Sequence, residues 1–525
     1  MNSSKNINKN EMNKKSSTMR LIAYMKPYAH GVIFALLLVL GLTSFDLYRP
    51  MLVGDAIDTF GANGDYDVII ATAIKYAVVL ALSFAFNIAQ TWILQKTGQN
   101  IILQMRKDLY RHIQSLGSRY FDITPVGKLV TRVTNDVEAL NEMYSGILVQ
   151  LFRNIVKIVG LAGVMLVLDV RLAAISFVLM PLVIGLTVLC QKIARNIYRL
   201  YRTRLTDINT FLSEHLSGMK IIQIFGRQER KFEEFHDKNT KLYKAFYREM
   251  LMYAVFRPLI YILSILSLMI VLWFGSRNVF DEIISVGTLY IFSNYIRSFF
   301  DPIQELAEQF STLQSSIASA EKIFTVMDED EFIPEVENPK QPDKIIGKIE
   351  FDHVWFAYDG KNYVLKDVSF VINPGEKVAF VGATGAGKSS ILNLIGRYYD
   401  IQKGHIYIDG IDIRQLSKKQ LRSAIGQMQQ DVFIFEGDVA YNIRLNDDAI
   451  TDAQVKAAAE YVNASHFIEK LPQGYHEPVT ERGATFSAGE RQLLSFARTL
   501  AHNPSILVMD EATANIDTET EILIQ

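Results

Sequence analysis

A glycine-rich stretch in the second half of the chain has the residue types and spacing to bind phosphate. It reads GEKVAFVGATGAGKSSILNLIGRYY and contains G-x-x-x-x-G-K-S at Gly382, Gly387, Lys388 and Ser389. Glycines let backbone N–H groups turn towards phosphate oxygens, the lysine places a positive charge at the β- and γ-phosphates, and the serine supplies an oxygen for Mg²⁺. VAFV before the pattern predicts a strand and the residues after it predict a helix, which disfavours a chance glycine-rich turn. We expect phosphate contacts from Gly382, Ala383, Thr384, Gly385, Ala386, Gly387, Lys388, Ser389 and Ser390.

A second motif, SILVMDEATANID, supplies the acidic residues that phosphate chemistry needs. Its apolar run at 506–509 predicts a short buried strand that ends at Asp510 and Glu511. A carboxylate at a strand end beside a phosphate loop can hold Mg²⁺, so Asp510 is predicted to share the metal with Ser389. Glu511 is then placed to orient or polarise the attacking water, because phosphoryl transfer depends mainly on positioning and charge stabilisation. Asp-Glu pairs are common at strand ends, and this pair takes its meaning from the phosphate loop that precedes it.

A third motif, ATFSAGERQLLSFAR at 484–498, separates this chain from other nucleotide hydrolases. On these residues the sequence resembles the ATP-binding cassette (ABC) family, whose signature loop reads Leu-Ser-Gly-Gly-Gln where this chain reads Phe-Ser-Ala-Gly-Glu at 486–490. The resemblance implies ATP and Mg²⁺ as cofactors and a head-to-tail pair of cassettes. In such a pair, Ser487 and the amide of Gly489 contact ATP held by the phosphate loop of a partner chain.

Three further residues take their expected roles from the same resemblance, and each has an ordinary structural alternative. Tyr358, in FAYDG, matches the aromatic side chain that stacks on adenine, or is a strand-end tyrosine. Gln430, in MQQDVFIF, matches the glutamine loop that reaches both Mg²⁺ and the membrane domain, or is a loop amide. Asp517, in ANID, matches the loop that links the two nucleotide sites. Their order among the motifs favours the functional roles, and Glu511, Lys388 and Gln430 are the expected catalytic residues.

The signature loop departs from the family pattern in a way that bears on the partner chain. Ala488 adds a methyl group where glycine allows closer approach of a phosphate, whereas the family tolerates a glutamate at Glu490. Because Lys388, Asp510 and Glu511 are intact, the chain is predicted to be one subunit of a heterodimeric exporter. The partner would supply a consensus signature and carry an altered catalytic carboxylate. A homodimer that tolerates Ala488 is the alternative.

The first half of the chain predicts a membrane domain. Hydrophobic residues make up 49% of the sequence, and about 20 consecutive apolar residues are long enough to cross a bilayer as a helix. Six candidate spans have this character: 31–53, 68–92, 146–168, 171–193, 251–275 and 284–308. Lysine and arginine are retained on the cytoplasmic side, so the basic connections after the second and fourth spans lie inside and the acidic loop after the first lies outside. We expect a multi-pass protein of the cytoplasmic membrane with both termini in the cytoplasm.

Composition divides the chain into four parts. Residues 1–19 are predicted to form a basic, disordered cytoplasmic tail, and 20–325 a six-span domain with two long intracellular loops. Residues 326–346, which are acidic and contain proline, are a predicted linker to an ABC domain at 347–525. The expected fold is therefore an all-α six-helix transmembrane domain followed by an α/β P-loop NTPase (ABC) nucleotide-binding domain.

Two exporter-like segments and one missing segment refine this organisation. YFDITPVGKLVTRVTND (120–136) and LSEHLSGMKIIQIFGRQERKFEEF (212–235) resemble the two intracellular loops of ABC exporters. The family also places a switch histidine beyond the position of Glu511, and no histidine follows His502. The cassette is therefore expected to be C-terminally truncated, to lack the switch-histidine region and to be impaired in ATP hydrolysis.

Ionisable residues inside membrane spans are costly and mark candidate functional positions. In this sequence they are Asp46, Arg153, Lys157, Arg257, Arg297 and Asp301. Arg153 and Lys157 lie one helical turn apart on one face, and Arg297 and Asp301 have the same spacing, which would let them pair. The sixth span also carries aromatic residues that either line an apolar cavity or contact lipid, and lipid contact is favoured. These residues are Phe292, Tyr295, Phe299 and Phe300.

Together these observations predict ATP-driven export of hydrophobic or amphipathic substrates by one subunit of a dimeric ABC exporter. The expected partners are a second half-transporter chain, the lipid bilayer and a hydrophobic small-molecule or lipid substrate. A homodimeric flippase for lipids or lipid-linked molecules and a membrane regulator that binds ATP without transport are the alternatives, and the fusion of spans with a cassette disfavours an importer. A net charge of −2 creates no global basic field for nucleic acid, and six apolar spans argue against a soluble cassette ATPase that acts on DNA.

Overall fold

The computed structural model describes residues 17–63, 66–383, 385–428, 432–480, 483 and 485–510. These residues form two compact units, one within Met1–Ile113 and Gly127–Asp328 and the other within Gln114–Val126 and Glu329–Gln525. The second unit therefore includes a short segment from the connection between the second and third predicted spans. Several expectations fall on residues outside the described ranges: those for Thr384, Gln430, Glu511 and Asp517, and for the tail up to residue 16.

Helices make up the first unit and the segment 114–126. Their bounds are 17–25 for α1, Ala29–Asn63 for α2, Tyr66–Ser115 for α3, Ser118–Ile123 for α4, Val126–Thr131 for α5, Val137–Glu142 for α6, Leu148–Leu168 for α7, Val170–Phe177 for α8, Met180–Ser217 for α9, Met219–Ile224 for α10, Gln228–Phe280 for α11 and Val286–Met327 for α12. Short 3₁₀ or π-helical turns at Lys26–Tyr28, Arg132–Asp136 and Met143–Ile147 join some of them.

Five helical stretches within the described residues are long and apolar enough to cross a membrane. They are Ser17–Gly61, Tyr66–Ser115, Val126–Leu168, Val170–Ser217 and Gln228–Phe280, and they contain the first five predicted spans. Residues 286–308 of the sixth predicted span lie within α12, but this helix is not among the five. Asn294, Arg297 and Asp301 interrupt its apolar residues and lower its hydropathy.

The aromatic residues of the predicted sixth span are buried inside the first unit. Phe292, Tyr295, Phe299 and Phe300 are between 0% and 6% exposed and belong to one apolar cluster with residues of α7, α8, α9 and α11. The expectation that they contact lipid is therefore wrong. Helix α12 packs against α2, α7 and α11, so its aromatic face is covered by neighbouring helices.

The charged residues of the predicted spans also pair differently from the expectation. No ion pair joins Arg297 to Asp301 in the part of α12 that the structure describes. Asp46 instead accepts hydrogen bonds from Arg49 and, at 3.4 Å, from Arg153. Arg153 of α7 thus pairs with an acidic group on α2, a contact that spacing within a single helix could not reveal.

The second unit contains strands and shorter helices. The strands are β1 (Ile349–Phe356), β2 (Leu365–Ile372), β3 (Lys403–Ile408), β4 (Ile411–Asp412), β5 (Ile425–Met428), β6 (Gly437–Asp438), β7 (Pro478–Val479) and β8 (Ile506–Met509). The helices are α13 (Lys388–Ile395), α14 (Lys418–Ser423), α15 (Val439–Arg444), α16 (Asp452–Tyr461), α17 (Ser465–Ile468) and α18 (Ala488–Ala501). One antiparallel sheet has the order β2-β1-β3-β4, β5 pairs with β8 in parallel, and β6 pairs with β7 antiparallel.

The alternation in IEFDHVWF forms β1, but the strand contains a β-bulge that the alternation alone did not predict. Ile349 and Phe351 point into the core, and after the bulge the core positions become Val354 and Phe356. His353 has φ of 48°, in the left-handed region that a bulge can require. The extra residue keeps both apolar pairs on the same face of the sheet.

The strand expected at VAFV does not form. The segment 376–382 has no regular secondary structure, and Val378 and Val381 are 49% and 90% exposed. A strand requires a neighbour for its backbone N–H and C=O groups, and no ladder pairs this segment within the described residues. The predicted strand at 506–509 does form, because β5 lies beside it in register.

The predicted linker is irregular in structure but is bound to the second unit at several points. Lys418 Nζ donates to the carbonyl of Ile333 at 2.9 Å and pairs with Glu335 at 3.2 Å. Arg397, which is 3% exposed, donates to the carbonyl of Pro334 at 3.1 Å. These contacts hold residues 333–335 of the linker against the second unit.

A buried carboxylate stabilises the antiparallel sheet of this unit. Asp412, at the end of β4, is 7% exposed and lies 2.8 Å from His405 Nδ1 and 2.6 Å from Arg414 Nη2. Burial alone raises the pKa of the Asp412 carboxyl, but the hydrogen bonds from Arg414 and His405 outweigh it and lower the pKa from 3.8 to about 2. The ionised form is therefore favoured by the folded state.

Replacing Asp412 with asparagine should lower the free energy of unfolding at neutral pH by about 2 kcal/mol. The contribution of the carboxylate is complete above its ordinary pKa of 3.8 and is lost as the pH falls towards about 2. Thermal unfolding of the full chain across this range should therefore show a constant difference between wild type and Asp412→Asn that shrinks below pH 3.8. If wild type and Asp412→Asn are equally stable at neutral pH, the Asp412 carboxylate does not stabilise the fold.

Candidate functional site

The loop before α13 has a backbone conformation that requires glycine at two positions. Gly385 and Gly387 have φ of 85° and 93°, in the left-handed region. At Gly387 a Cβ would also lie 2.7 Å from Leu365 Cδ2, so a side chain would clash as well. Gly382 differs, since a Cβ there would meet only Ala386 Cβ at 3.4 Å. The sharp turn therefore depends on the last two glycines of the motif.

The turn leaves the beginning of α13 free to bind an anion. Gly387 is the N-cap and offers no side chain, so the first N–H groups of the helix have no capping side-chain partner. Lys388 Nζ donates to the carbonyls of Gly382 and Ala383 at 2.8 and 3.1 Å. An ammonium group has three donors, so one remains available. Free N–H groups, a helix dipole and a lysine together suit phosphate.

The two motifs that sequence analysis assigned to Mg²⁺ meet at this helix. Ser389 Oγ donates to Asp510 Oδ1 at 3.2 Å, although 121 residues separate them. The parallel pairing of β5 with β8 places Asp510 directly after the strand, and its N–H lies 3.3 Å from the carbonyl of Met428. A hydroxyl and a carboxylate oxygen in contact form the oxygen-rich ligand set that Mg²⁺ prefers.

Tyr358 lies beside the same helix. Its hydroxyl is 3.0 Å from Ser390 Oγ, and its half-buried ring makes edge-to-face contacts with Phe356 and Tyr399, with centroid distances of 4.7 and 5.1 Å. Tyr358 therefore lies next to the phosphate loop, as adenine stacking would require. Stacking itself stays a prediction.

The signature loop begins α18 with a capping box. Ser487 Oγ accepts a hydrogen bond from the Glu490 N–H at 3.2 Å, and the Glu490 carboxylate accepts from the Ser487 N–H at 2.7 Å. A hydroxyl that accepts this bond can still donate its own proton. Glu490 is thus turned back onto its own helix end, which explains why a negative charge is tolerated here. A Cβ at Gly489 would meet nothing within 4 Å.

The predicted site residues therefore form one cluster and one separate loop. Hydrogen bonds connect Lys388 to Gly382 and Ala383, Ser389 to Asp510, and Tyr358 to Ser390. Within the described ranges, no hydrogen bond or ion pair connects Ser487 or Gly489 to that cluster.

Comparison with known proteins decides the family. Residues 32–303 match the family model of the ABC transporter transmembrane region, and residues 365–514 match that of the ABC transporter. The chain is 39% identical over 508 residues to the putative ABC transporter ATP-binding protein exp8 of Streptococcus pneumoniae, with 96% of this chain and 86% of the relative covered. This chain belongs to the ABC transporter family.

Other relatives and a solved structure give the same assignment. A probable multidrug resistance ABC transporter ATP-binding/permease protein, YheH of Bacillus subtilis, is 38% identical over 86% of this chain and 67% of its own length. The ATP-dependent lipid A-core flippase of Desulfotalea psychrophila is 31% identical over 98% of this chain and 90% of its own. A bacterial Atm1-family ABC exporter with ATP bound shares the fold, with a TM-score of 0.76, 24% identity and coverage of 94% and 88%.

These findings confirm the expected family and fold class and the coupling of an ATPase to transport. The protein is a multi-pass membrane ABC exporter half-transporter whose cassette binds ATP.

In this ABC transporter, the segment 114–126 makes contacts that sequence analysis missed. The Gly117 N–H donates to the carbonyl of Glu331 at 2.8 Å, and Arg119 pairs with the Glu331 carboxylate at 3.1 Å. Tyr399 donates its hydroxyl to Asp122 Oδ2 at 2.6 Å. The sequence contains no local signal for this last contact, because 277 residues separate its members.

Tyr399 connects this segment to the nucleotide site of the ABC transporter. Its ring touches Tyr358 and its hydroxyl bonds Asp122. Burial and the bond to Asp122 raise the pKa of Tyr399 above its ordinary value, so the hydroxyl stays protonated and remains a donor at neutral pH. Only two side-chain contacts thus separate Tyr358 from the connection between the second and third predicted spans.

A second pair of residues, also missed, fixes the chain just after the glutamine loop. Asn442 is fully buried, and its amide bonds both the N–H and the carbonyl of Phe435, each at 2.8 Å. Arg498 donates to the carbonyls of Asn442 and Phe433 at 2.7 and 3.0 Å. Burial lowers the pKa of Arg498, yet guanidinium keeps its charge in proteins, so these bonds persist.

Replacing Tyr399 with phenylalanine should weaken the coupling of transport to hydrolysis. The variant keeps the ring contact with Tyr358 and loses one hydrogen bond, worth about 1 kcal/mol, so substrate moved per ATP hydrolysed should fall about fivefold. The KM for ATP should stay unchanged. The ratio of transport to hydrolysis and the KM for ATP are measured on the full complex in proteoliposomes. Tyr398→Phe is the control, because the neighbouring Tyr398 ring lies against Arg422 instead. An unchanged ratio of transport to hydrolysis in Tyr399→Phe would refute the connection.

Proposed function

We propose that this chain is one subunit of a dimeric exporter that uses ATP and Mg²⁺ to move hydrophobic or amphipathic molecules out across the cytoplasmic membrane, with both termini in the cytoplasm. The observation that carries the proposal is the contact of Ser389 with Asp510 beside Lys388. It joins the phosphate loop to the acidic strand end in a chain with five helical stretches able to cross a membrane.

ATP would be held by the residues of the phosphate loop and the start of α13. Backbone N–H groups of the loop face the phosphates, and Lys388 exchanges its bonds to Gly382 and Ala383 for phosphate oxygens. The remaining loop residues Thr384, Gly385, Ala386, Gly387 and Ser390 complete the cradle. Tyr358, which lies beside α13, would stack on the adenine.

Hydrolysis would rely on charge placed around the γ-phosphate. Ser389, Asp510 and Gln430 are the residues that would hold Mg²⁺, which when bound neutralises charge on the β- and γ-phosphates. Glu511 orients the attacking water, and Lys388 stabilises the charge that builds on the transferred group. Because the chemistry is mainly positioning, the short strand β8 serves to fix Asp510 relative to α13.

The signature loop would act on ATP bound by the partner. Ser487 keeps its proton available while it caps α18, and Gly489 leaves open space at its backbone. Asp517 would link the two nucleotide sites. Closure of the two cassettes on ATP then shifts the membrane helices towards the outward-open state, because ATP binds the closed form more tightly.

We favour a heterodimer in which the partner carries a consensus signature. The support is Ala488, which begins α18 at an exposed position where a methyl group limits the approach of phosphate. A homodimeric flippase is the second candidate, and the identity to an ATP-dependent lipid A-core flippase favours it. Purification of the native complex in detergent distinguishes them: a second, related chain supports the heterodimer, and a single kind of chain refutes it.

Replacing Glu511 with glutamine should lower ATP hydrolysis and transport about a hundredfold or more and leave ATP binding intact. Lys388→Ala should instead weaken ATP binding itself, since it removes the charge at the phosphates. Equilibrium binding of ATP, phosphate release and substrate uptake into inverted vesicles are the three readouts. Transport at the wild-type rate in Glu511→Gln would reject both the role of Glu511 and the exporter mechanism.

Replacing Ala488 with glycine should raise the affinity for ATP at the partner's site about twofold, because closer approach strengthens hydrogen bonds from the loop. Gly489→Ala is the matched opposite change and should lower this affinity, while folding is unaffected because its new Cβ meets open space. Equilibrium binding of ATP to a complex in which only this chain carries Lys388→Ala measures both affinities. If the two variants behave alike, the signature loop does not contact the phosphate as proposed.

A further inference from the structure

The first unit contains a polar cavity between helices α7 and α12. Its volume is about 420 Å³, and its lining includes Arg153 and Lys157 from α7 and Asp301 and Glu305 from α12. A second cavity of about 280 Å³ shares Lys157 and also includes Asp46 from α2. Charged side chains from three helices thus surround adjoining spaces that border the apolar cluster of this unit.

The polar residues follow helical spacing, so they form faces rather than scattered positions. On α7 the lining residues are Gln150, Arg153, Asn154 and Lys157, with steps of three and four residues. On α12 they are Asp301, Pro302, Glu305 and Gln309, with similar steps. Positions three and four apart share one side of a helix, and α12 packs against both α7 and α2. Two polar faces therefore meet across the cavity.

Most of these charged side chains make a hydrogen bond or an ion pair with a neighbour, but two do not. Asp46 accepts hydrogen bonds from Arg49 and Arg153, and Glu305 accepts one from Asn154 at 2.9 Å. In the described part of the chain, neither Lys157 nor Asp301 makes a hydrogen bond or an ion pair within 4 Å. Lys157 and Asp301 attract each other without direct contact, and charges inside a membrane domain mark functional positions. The donors of one cation and the acceptors of one anion in a single cavity are therefore available to a ligand.

The same spaces border the apolar core of the unit. Leu161 and Tyr295 line the second cavity and belong to the buried cluster that contains Phe292 and Phe299. Pro302 has no N–H to donate to the carbonyl of Ser298, four residues before it, and Ser298 lines the second cavity. Polar and apolar walls thus adjoin, as an amphipathic ligand requires.

We infer that this cavity binds the head group of a zwitterionic amphiphile, with its anionic group at Lys157 and its cationic group at Asp301. The inference rests on the proposed export function and specifies the substrate class. Neutral hydrophobic molecules would leave both charges unpaired, and singly charged ones would pair only one of them. Zwitterionic lipids and zwitterionic amino-acid derivatives share the required chemistry.

The test is equilibrium binding, without ATP, to the full complex in nanodiscs, with empty nanodiscs subtracted. Three probes share a twelve-carbon tail: dodecylphosphocholine is zwitterionic, dodecyl phosphate is anionic and dodecyltrimethylammonium is cationic. The zwitterion should bind about tenfold more tightly than either singly charged probe, as expected for one additional charge-assisted contact. Equal affinities for the three probes would overturn the inference.

Two variants assign the charges separately. Lys157→Met should weaken dodecyl phosphate and dodecylphosphocholine about tenfold and leave dodecyltrimethylammonium unchanged. Asp301→Asn should weaken the cationic and zwitterionic probes and leave dodecyl phosphate unchanged. Lys192→Met removes an exposed lysine of α9 and serves as the control. Loss of all three probes by both variants, with unchanged size-exclusion profiles, would show that the two charges serve only the protein's structure.

Competition then distinguishes the ligand sources. Displacement of dodecylphosphocholine by lysophosphatidylethanolamine supports a lipid, displacement by lauroyl-lysine alone supports an amino-acid amphiphile, and displacement by neither overturns the inference. Binding is measured without hydrolysis, so it can be tested separately from transport. If the complex binds the zwitterionic probe selectively but does not transport, only the proposed function is refuted. Transport without head-group selectivity would refute this inference alone.

Discussion

The hydrogen bond from Ser389 to Asp510 brings together two parts of the sequence that are 121 residues apart. It forms only because Gly387 adopts a left-handed conformation before α13 and because β8 pairs with β5 in the register that ends at Asp510. With that contact in place, Lys388 and Tyr358 lie around the same helix start. The chemistry of the cassette therefore depends on a turn and a strand pair rather than on any single reactive group.

The same region is connected to the segment 114–126 and to the predicted linker by side chains with no catalytic role. Tyr399 touches Tyr358 and bonds Asp122, and Arg397 and Lys418 bind the start of the linker. Each bond is worth only about 0.5–1.5 kcal/mol. The bond to Asp122 can make the position of the segment 114–126 depend on what occupies the nucleotide site, which is what coupling requires.

Local patterns predicted much of this structure. The phosphate loop, β8 and the long apolar helices follow from spacing and periodicity, and the structure has them where the sequence placed them. The strand predicted at VAFV does not form, because a strand needs a neighbouring strand that its own sequence does not specify. The buried aromatic face of α12, the pairing of Arg153 with Asp46 and the contact of Tyr399 with Asp122 depend on distant elements, so no local pattern could predict them.

We propose that the signature loop of this chain contacts ATP that a partner holds. The most direct measurement uses ATP with a photoreactive group on its γ-phosphate, applied to a complex in which only this chain carries Lys388→Ala. ATP then binds at the partner's site, and the account predicts cross-linking to the peptide that contains Ser487 and Gly489. Cross-links confined to the phosphate loops, with none at 486–490, would contradict it.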